Sequence, residues 1–207
     1  RLAEPLELFD KKSLYSQLKN SNLINMIEVF PSIDSTSVYL RQQAEQGIPS
    51  GTICIAETQT AGRGRRGRVW HSPFGSNIYL SVLWRFDQGM STLGGLSLAV
   101  AVAMMRAFLQ LGAKGLGIKW PNDIISDQGK VAGILVDVAG ESGGPCHAVI
   151  GIGVNWAMRD SEATHIDQAW STLSQSSVTA GRNMVTVTLI DNVLAMLYEY
   201  QQTGFSS

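Results

Sequence analysis

The sequence predicts an α+β protein: a mixed, largely antiparallel β-sheet with helices packed against it. Strand-like runs rich in β-branched residues alternate with segments of helical periodicity. Short glycine-containing turns join the later strand-like runs, and such turns favour antiparallel hairpins. The 207 residues, 44% of them hydrophobic and 16% charged, are enough for one well-buried domain. Neither repeats nor low-complexity linkers divide the chain.

The first four elements follow from local patterns. Residues 11–19 have the apolar and polar faces of a short helix, and residues 27–33 form a strand-like run. The next helix, within residues 33–47, begins at a polar capping residue and ends at a glycine. Residues 52–58 are a β-branched strand that leads directly into an arginine-rich loop.

The remaining elements continue the same alternation. A second strong strand covers residues 77–86. The longest apolar stretch, residues 93–105, predicts a buried core helix that ends at Gly112, because a membrane span needs roughly 18 or more apolar residues. Three strands and an amphipathic helix then follow, at residues 117–120, 130–139, 147–156 and about 187–202.

The segment TAGRGRRGRVW, residues 60–70, holds four of the 16 Lys and Arg residues of a chain whose net charge is −1. Glycine N–H groups and arginine side chains together bind phosphate or carboxylate oxygens, and Trp70 adds an apolar wall. The motif also matches the dinucleotide-binding pattern G-x-G-x-x-G, but Pro73 and Gly75 exclude the helix that must follow it. An RNA-stacking arm and a plain charged turn stay open. An anion-binding loop is favoured, because four close arginines repel one another without a shared anion.

Two lysines and two glycines point to the same region. Lys119 and Lys130 border apolar strands whose ends can reach one face of the sheet. For Lys130, the alternative is a charge that protects a sheet edge. Gly151 and Gly153 leave two same-face positions of one strand without side chains, which indicates either a bulge or room for a ligand.

The sequence supports no other catalytic chemistry. The three histidines are isolated, so neither a metal cluster nor a Ser-His-Asp arrangement is indicated. The near-neutral charge argues against nucleic-acid binding through bulk electrostatics. Cys54 and Cys146 lie in apolar runs and fit no disulfide framework, which predicts a reduced, cytoplasmic setting without membrane contact.

Five segments, in this order, closely resemble the catalytic domain of bacterial biotin–protein ligases: IDST, AETQTAGRGRRGRVWHSPFGSNIYLS, KWPNDI, KVAGILVD and GIGVNW. The resemblance covers the chain from about Glu4 to the last helix. It implies a fold like that of class II aminoacyl-tRNA synthetases. It also implies a two-step reaction, in which biotin and ATP form biotinyl-5′-adenylate and the adenylate acylates a lysine of biotin carboxyl carrier protein. Mg²⁺ is expected to accompany ATP, although no metal ligand is singled out.

The resemblance also assigns residues. Lys130, Arg65 and Lys119 are expected to be catalytic, because their positive charges would reduce the repulsion between the biotin carboxylate and the α-phosphate of ATP. The biotin site is expected at Ser35, Thr36, Gln59, Gly62, Arg63, Gly64, Arg65, Trp70, Lys130, Gly133, Leu135, Gly151 and Gly153. The ATP and adenylate site is expected at Arg63, Arg65, Arg68, Trp70, Lys119, Asn155 and Trp170. Helix capping stays an alternative for Ser35 and Thr36, and a structural role for Trp170, which could otherwise stack on adenine.

Two other functions stay open: a lipoate–protein ligase relative, and a biotin-responsive transcriptional repressor that uses this domain as its sensor. Family members usually continue into a small SH3-like domain, and many begin with a winged helix–turn–helix. We therefore expect residues 1–207 to be the catalytic domain of a longer protein, with RLAEPLELFD as the join and any DNA contact made elsewhere. A homodimer is left open. Ser37 replaces the Asn usual in the family and is expected one residue beyond the biotin contacts.

Overall fold

The computed structural model describes residues 6–204 and contains seven strands and four α-helices there. Residues 1–5, the first half of the expected join to an upstream domain, lie outside the described residues, as do residues 205–207. The strands are β1 (Met26–Phe30), β2 (Thr52–Ala56), β3 (Ile78–Phe86), β4 (Gly117–Lys119), β5 (Asp123–Ser126), β6 (Gly129–Gly140) and β7 (Cys146–Val154). The helices are α1 (Lys11–Gln17), α2 (Thr36–Glu45), α3 (Leu96–Gln110) and α4 (Arg182–Thr203).

All seven strands form one sheet in the order β1-β2-β3-β7-β6-β5-β4. The β1–β2 pair is parallel and every other pair is antiparallel, which confirms the predicted mixed, largely antiparallel sheet. The centre of the sheet joins β3 to β7, two strands that are far apart in the chain. Residues distant in sequence therefore meet in the middle of the sheet.

The two faces of the sheet are covered differently. Alternate residues of the central strands, such as Leu80 and Ile152, are buried in a large core with the apolar sides of α3 and α4. On the opposite face, α2 contributes Leu40 to a small cluster that includes Leu83 and Val149. Because successive residues of a strand point to opposite faces, positions 151 and 153 lie on the α2 side of the sheet together with Val149. That side is only partly covered by α2.

One helix boundary, one strand and one expected irregularity differ from the sequence-based expectations. Helix α4 begins at Arg182, five residues early, because tertiary burial of Arg182 outweighs the weak helix propensity of the threonines that follow. Strand β5 was not predicted, since Asn122 and Asp123 are typical turn residues. The register shift between Ile124 and Ile125 lies on this strand, whereas both pairings of β7 are continuous. A bulge at Gly151 or Gly153 is therefore wrong.

Between residues 6 and 204, no helix combines the length and the apolar character that crossing a membrane requires.

Candidate active site

A cavity lies on the α2 side of the sheet, between the start of α2, the arginine loop and strands β6 and β7. All of the predicted biotin-binding residues except Gly62 line it, namely Ser35, Thr36, Gln59, Arg63, Gly64, Arg65, Trp70, Lys130, Gly133, Leu135, Gly151 and Gly153. The cavity is open to solvent on one side and has a volume of about 50 Å³, room for only a few water molecules. A ligand larger than that either extends out of the cavity or displaces part of its wall.

One end of the cavity is a buried polar corner. The Gln59 side-chain oxygen accepts hydrogen bonds from the Thr36 backbone N–H at 2.9 Å and the Thr36 hydroxyl at 3.2 Å. The same hydroxyl lies 2.8 Å from the hydroxyl of Ser81 on β3. Ser35 is the N-cap residue of α2, yet its side chain caps no backbone N–H and instead lies 3.1 Å from the Ser37 hydroxyl. Capping therefore does not account for the side chain of Ser35.

The floor of the cavity is formed by glycines, and the indole of Trp70 lies across it. A Cβ atom added to Gly153 would be 2.4 Å from the Trp70 ring, and one added to Gly133 would be 2.9 Å from it. At Gly151, an added Cβ would meet Ser37 and Ser81 at the ordinary distances of 3.5 and 3.6 Å. The Trp70 indole N–H is buried without a hydrogen-bond partner in the described structure. The glycines thus create a slot, part of which the indole occupies.

Lys130 connects this slot to the charged part of the site. Its Nζ is 2.8 Å from a carboxylate oxygen of Asp123 and 5.2 Å from the centre of the Trp70 ring. The side chain is only 17% exposed. Strand β6, which carries Lys130, lies between β5 and β7 and is not an edge strand. The hypothesis of an edge-protecting charge is therefore wrong.

The arginine loop forms the outer wall of the cavity. Arg63 lies 3.7 Å from a carboxylate oxygen of Asp137, and Arg65 donates a 2.9 Å hydrogen bond to the side-chain oxygen of Asn122. Within residues 6–204, Arg66 and Arg68 form neither a hydrogen bond nor an ion pair with a side chain. Both of these arginines line a second cavity of about 270 Å³, which shares Arg65, Trp70 and Lys130 with the first. Two unpaired cations therefore face a hollow beside the slot.

The ends of the loop are closely tied together. The Gly62 carbonyl accepts a 2.9 Å hydrogen bond from the Trp70 N–H, and a Cβ atom added to Gly62 would be 2.4 Å from the Trp70 carbonyl oxygen. Gly62 therefore closes the loop without lining the cavity. Tyr79 donates a 2.9 Å hydrogen bond to the Pro73 carbonyl, and burial raises the pKa of its phenol, so it remains a neutral donor.

Three residues expected at the ATP site lie away from these two cavities. Lys119 is exposed on the edge strand β4, in a hollow shared with Asp123 and Lys130. Asn155 is buried, and its amide donates a 3.0 Å hydrogen bond to the Lys130 carbonyl. Trp170 is half-buried beside a further hollow, which shares Gln168 with the second cavity. Contact of these three residues with a nucleotide stays a prediction.

The sequence analysis missed several residues of the site. Ser37 lines the cavity beside Ser35, and whether it contacts biotin stays a prediction. Asn122 also lines it, and its amide donates a 2.8 Å hydrogen bond to the Ile134 carbonyl, so Asn122 connects the arginine loop to β6. Asp137 could have been predicted at the site, since it lies on the same face of β6 as Gly133 and Leu135. No group of three His, Cys, Asp or Glu residues placed to bind a metal occurs among the described residues.

Comparison with known proteins reveals relatives along almost the entire chain. The model of the biotin/lipoate A/B protein ligase family matches residues 29–155. The bifunctional ligase/repressor BirA of Salmonella typhimurium is 44% identical over 99% of this chain and 62% of its own length. The biotin–[acetyl-CoA-carboxylase] ligase of Mycobacterium tuberculosis is 33% identical over 99% of this chain and 75% of its own length.

A solved structure confirms the predicted class II aminoacyl-tRNA synthetase-like fold. The biotin protein ligase from Aquifex aeolicus in complex with biotin and ATP superposes with a TM-score of 0.71 and 25% identity, covering 88% of this chain and 74% of that one. The chain spans 62% of the length of the BirA proteins that it matches.

Proposed function

Since this chain belongs to the biotin/lipoate A/B protein ligase family, we propose that it activates biotin with ATP to biotinyl-5′-adenylate and transfers biotin to a lysine of a carrier protein. One observation carries the proposal. A buried polar corner, a glycine-floored apolar slot and several cations meet in one cavity. These are the three surfaces that a polar ureido ring, an aliphatic chain and a carboxylate require.

The polar corner suits the ureido head of biotin. Ser35, Thr36 and Gln59 offer hydroxyl and amide groups that donate and accept hydrogen bonds. Thr36 bonds to Gln59, Gln59 bonds to Ser72, and the Ser35 hydroxyl lies beside that of Ser37, so these groups are held in place before a ligand arrives. The thiophane ring and the aliphatic chain of biotin would then lie on the glycine floor, formed by Gly133, Gly151 and Gly153, and contact Trp70. Because the free cavity is small, we expect Trp70 to move when biotin enters.

The cations suit the chemical step. Adenylation brings the biotin carboxylate against the α-phosphate of ATP, and both groups are anionic. Lys130 lies beside the slot, and Arg65 lines both cavities, so each can reach the point where the two anions meet. A fixed positive charge there stabilises the charge that develops as the carboxylate attacks the phosphorus and pyrophosphate leaves. No protein nucleophile is required.

The larger cavity is the proposed place for the phosphates of ATP, since Arg66 and Arg68 line it without partners. Magnesium, when bound, would neutralise phosphate charge. Mg²⁺ in nucleotide sites commonly uses one or two carboxylates together with phosphate oxygens, and Asp123 lines this cavity. Lys119, Asn155 and Trp170 remain our proposed contacts for the rest of the nucleotide.

Transfer to biotin carboxyl carrier protein, the cytoplasmic location and any homodimer belong to the proposal as well. So does the assignment of residues 1–207 to a single catalytic domain. The name of the relative from Mycobacterium tuberculosis, biotin–[acetyl-CoA-carboxylase] ligase, supports such a carrier as the acceptor. The BirA relatives are named as both ligase and repressor. The second candidate function is therefore a biotin-responsive repressor that uses this domain as its sensor.

Pyrophosphate release tests the proposed activation step. The chain is incubated with ATP and Mg²⁺ together with either biotin or lipoate. We expect release with biotin and none above background with lipoate. Release with lipoate alone would replace the proposal with a lipoate–protein ligase, and release with neither acid would reject adenylation.

A further inference from the structure

We infer that Arg182 is a positioning residue for the arginine loop: its buried guanidinium holds both ends of the segment that carries the loop. The inference rests on the proposed function only for its kinetic consequences. Arg182 belongs to the first turn of α4, on the opposite side of the sheet from the cavity, and has no contact with the cavity lining. Arg182 is not among the residues that the sequence predicts for the biotin or ATP site.

One guanidinium contacts both ends of residues 57–77. Its Nη2 forms an ion pair with the carboxylate of Glu57, directly after β2. Its Nη1 donates a 3.1 Å hydrogen bond to the carbonyl of Asn77, directly before β3. Arg182 is 1% exposed, Glu57 4% and Asn77 0%. The two strand ends between which the arginine loop leaves the sheet are therefore fixed by a single side chain.

The clamped residues lead directly to the polar corner. Glu57 precedes Gln59 by two residues, and the Glu57 carbonyl accepts a 3.0 Å hydrogen bond from the Gly75 N–H on the returning part of the loop. Gln59 in turn donates a 3.1 Å hydrogen bond to the hydroxyl of Ser72. The side-chain oxygen of Asn77 accepts a hydrogen bond from the Trp156 N–H at 2.9 Å. A shift at Glu57 therefore displaces Gln59 and the returning part of the loop, and a shift at Asn77 displaces the residues that follow β7.

The amino-terminal segment covers the clamp. The ring centre of Phe9 is 3.9 Å from the Arg182 guanidinium carbon, and the Phe9 N–H donates to the Glu57 carboxylate. The carboxylate of Glu7 accepts from the backbone N–H groups of Arg182 and Asn183. Water is thus excluded from the ion pair. Charge-assisted hydrogen bonds are stronger and more directional in such surroundings than in water, which suits a fixed support.

A purely structural role is the competing explanation. Removing one partner of a buried ion pair destabilises a fold strongly, because the other charge stays buried without compensation. Loss of stability in an Arg182 variant therefore decides nothing. The two explanations differ in what happens when Glu57 is also neutralised: the buried charge then disappears, whereas the clamp remains broken.

The experiment compares Arg182→Met, Glu57→Gln, the double variant and Asp191→Asn with the wild type. Asp191 is the matched control. It is also buried on α4, and its carboxylate accepts hydrogen bonds from the backbone of Lys19 and Asn20, remote from the arginine loop. Measurements are the melting temperature, the rate of trypsin cleavage at residues 63–68 without ligand, and KM and kcat for biotin in pyrophosphate release, all well below the melting temperature.

We expect Arg182→Met to raise the rate of cleavage in the loop and to raise KM for biotin about two- to tenfold, the range for loss of one neutral hydrogen bond between the displaced polar corner and biotin, with a smaller change in kcat. The double variant should regain melting temperature relative to Arg182→Met and keep the raised KM and fast cleavage. Asp191→Asn should lower the melting temperature and leave both loop measurements at the wild-type values.

The inference is overturned if KM and cleavage recover together with stability in the double variant, or if Asp191→Asn changes them as much as Arg182→Met does. The trypsin measurement needs no substrate. A wild-type chain that releases no pyrophosphate would thus reject the proposed function, while the difference in loop cleavage would still decide the role of Arg182.

Discussion

Alanine substitutions at Gly151 and Gly153 test two different features of the slot. Gly151→Ala tests whether the slot binds biotin, and Gly153→Ala tests whether Trp70 lies across it. In the free protein, a Cβ atom at position 151 meets Ser37 and Ser81 at 3.5 and 3.6 Å, which is ordinary contact. Replacing a glycine by alanine in a compatible strand position stabilises a protein by about 0.4–1 kcal/mol through the unfolded state. Gly151→Ala should therefore fold at least as stably as the wild type.

The same methyl group stands on the floor of the proposed biotin slot. An extra methyl group in a well-packed site costs about 1–3 kcal/mol, which corresponds to roughly five- to a hundredfold in affinity. Gly151→Ala should thus lose biotin affinity without losing stability. Isothermal titration with biotin and urea unfolding measure the two quantities on the same preparation.

Gly153→Ala is the contrasting variant. Its Cβ atom would lie 2.4 Å from the Trp70 ring, so the indole must retreat by about 1 Å to reach ordinary contact at 3.4 Å. This variant should lose about 1 kcal/mol or more of stability even without ligand, and its tryptophan emission should shift to longer wavelength as the indole enters water. Wild-type biotin affinity in Gly151→Ala would refute the slot, and unchanged stability in Gly153→Ala would refute the position of Trp70.

Three further outcomes follow from the charged part of the site. Lys130→Ala should lower pyrophosphate release about 10²–10³-fold with the fold intact, as expected for loss of one aimed donor, and a near-normal rate would contradict its catalytic role. Arg65→Gly, which also removes the hydrogen bond to Asn122, should form adenylate more slowly, because Lys130 is then left as the cation beside the reacting groups, and should release it faster, so that an unrelated lysine-rich protein becomes biotinylated. Labelling per adenylate formed that is no higher than with wild type would exclude that role in retention. Biotinyl-5′-adenylate should protect residues 63–68 from trypsin, and equal cleavage with and without it would mean that the loop does not close over the ligand.

Local patterns predicted the strands well where side chains alternate between two buried faces. The failure at β5 has a physical cause: Asn122 and Asp123 favour turns as isolated residues, but here Asn122 bonds to β6 and Asp123 to Lys130. The start of α4 was missed for a similar reason, because burial of Arg182 depends on Glu57 and Phe9, which are distant in sequence. Interactions of this kind leave no local signal.

The site divides in the same way. The arginine loop was found because charge and glycine are concentrated within a few residues, and Gly151 and Gly153 because their spacing matches one face of a strand. Alternation along β6 indicates the face on which Asp137 lies, but its pairing with Arg63 could not be predicted, since Asp137 approaches Arg63 only after β6 pairs with β7. Likewise, nothing in the sequence shows that Trp70 lies across the glycine floor.

The pairing of β3 with β7 also bears on how the protein folds. It joins residues 78–86 to residues 146–154, so the middle of the sheet closes only after a long intervening segment has been ordered. The β4–β5–β6 hairpins need only short turns and can form early, whereas contacts between distant parts of a chain form slowly. The polar corner lies on one side of the β3–β7 junction and the glycine floor on the other. During synthesis, we therefore expect the chain to be unable to bind biotin until β7 has emerged and paired, so that ligand stabilises only the completed fold.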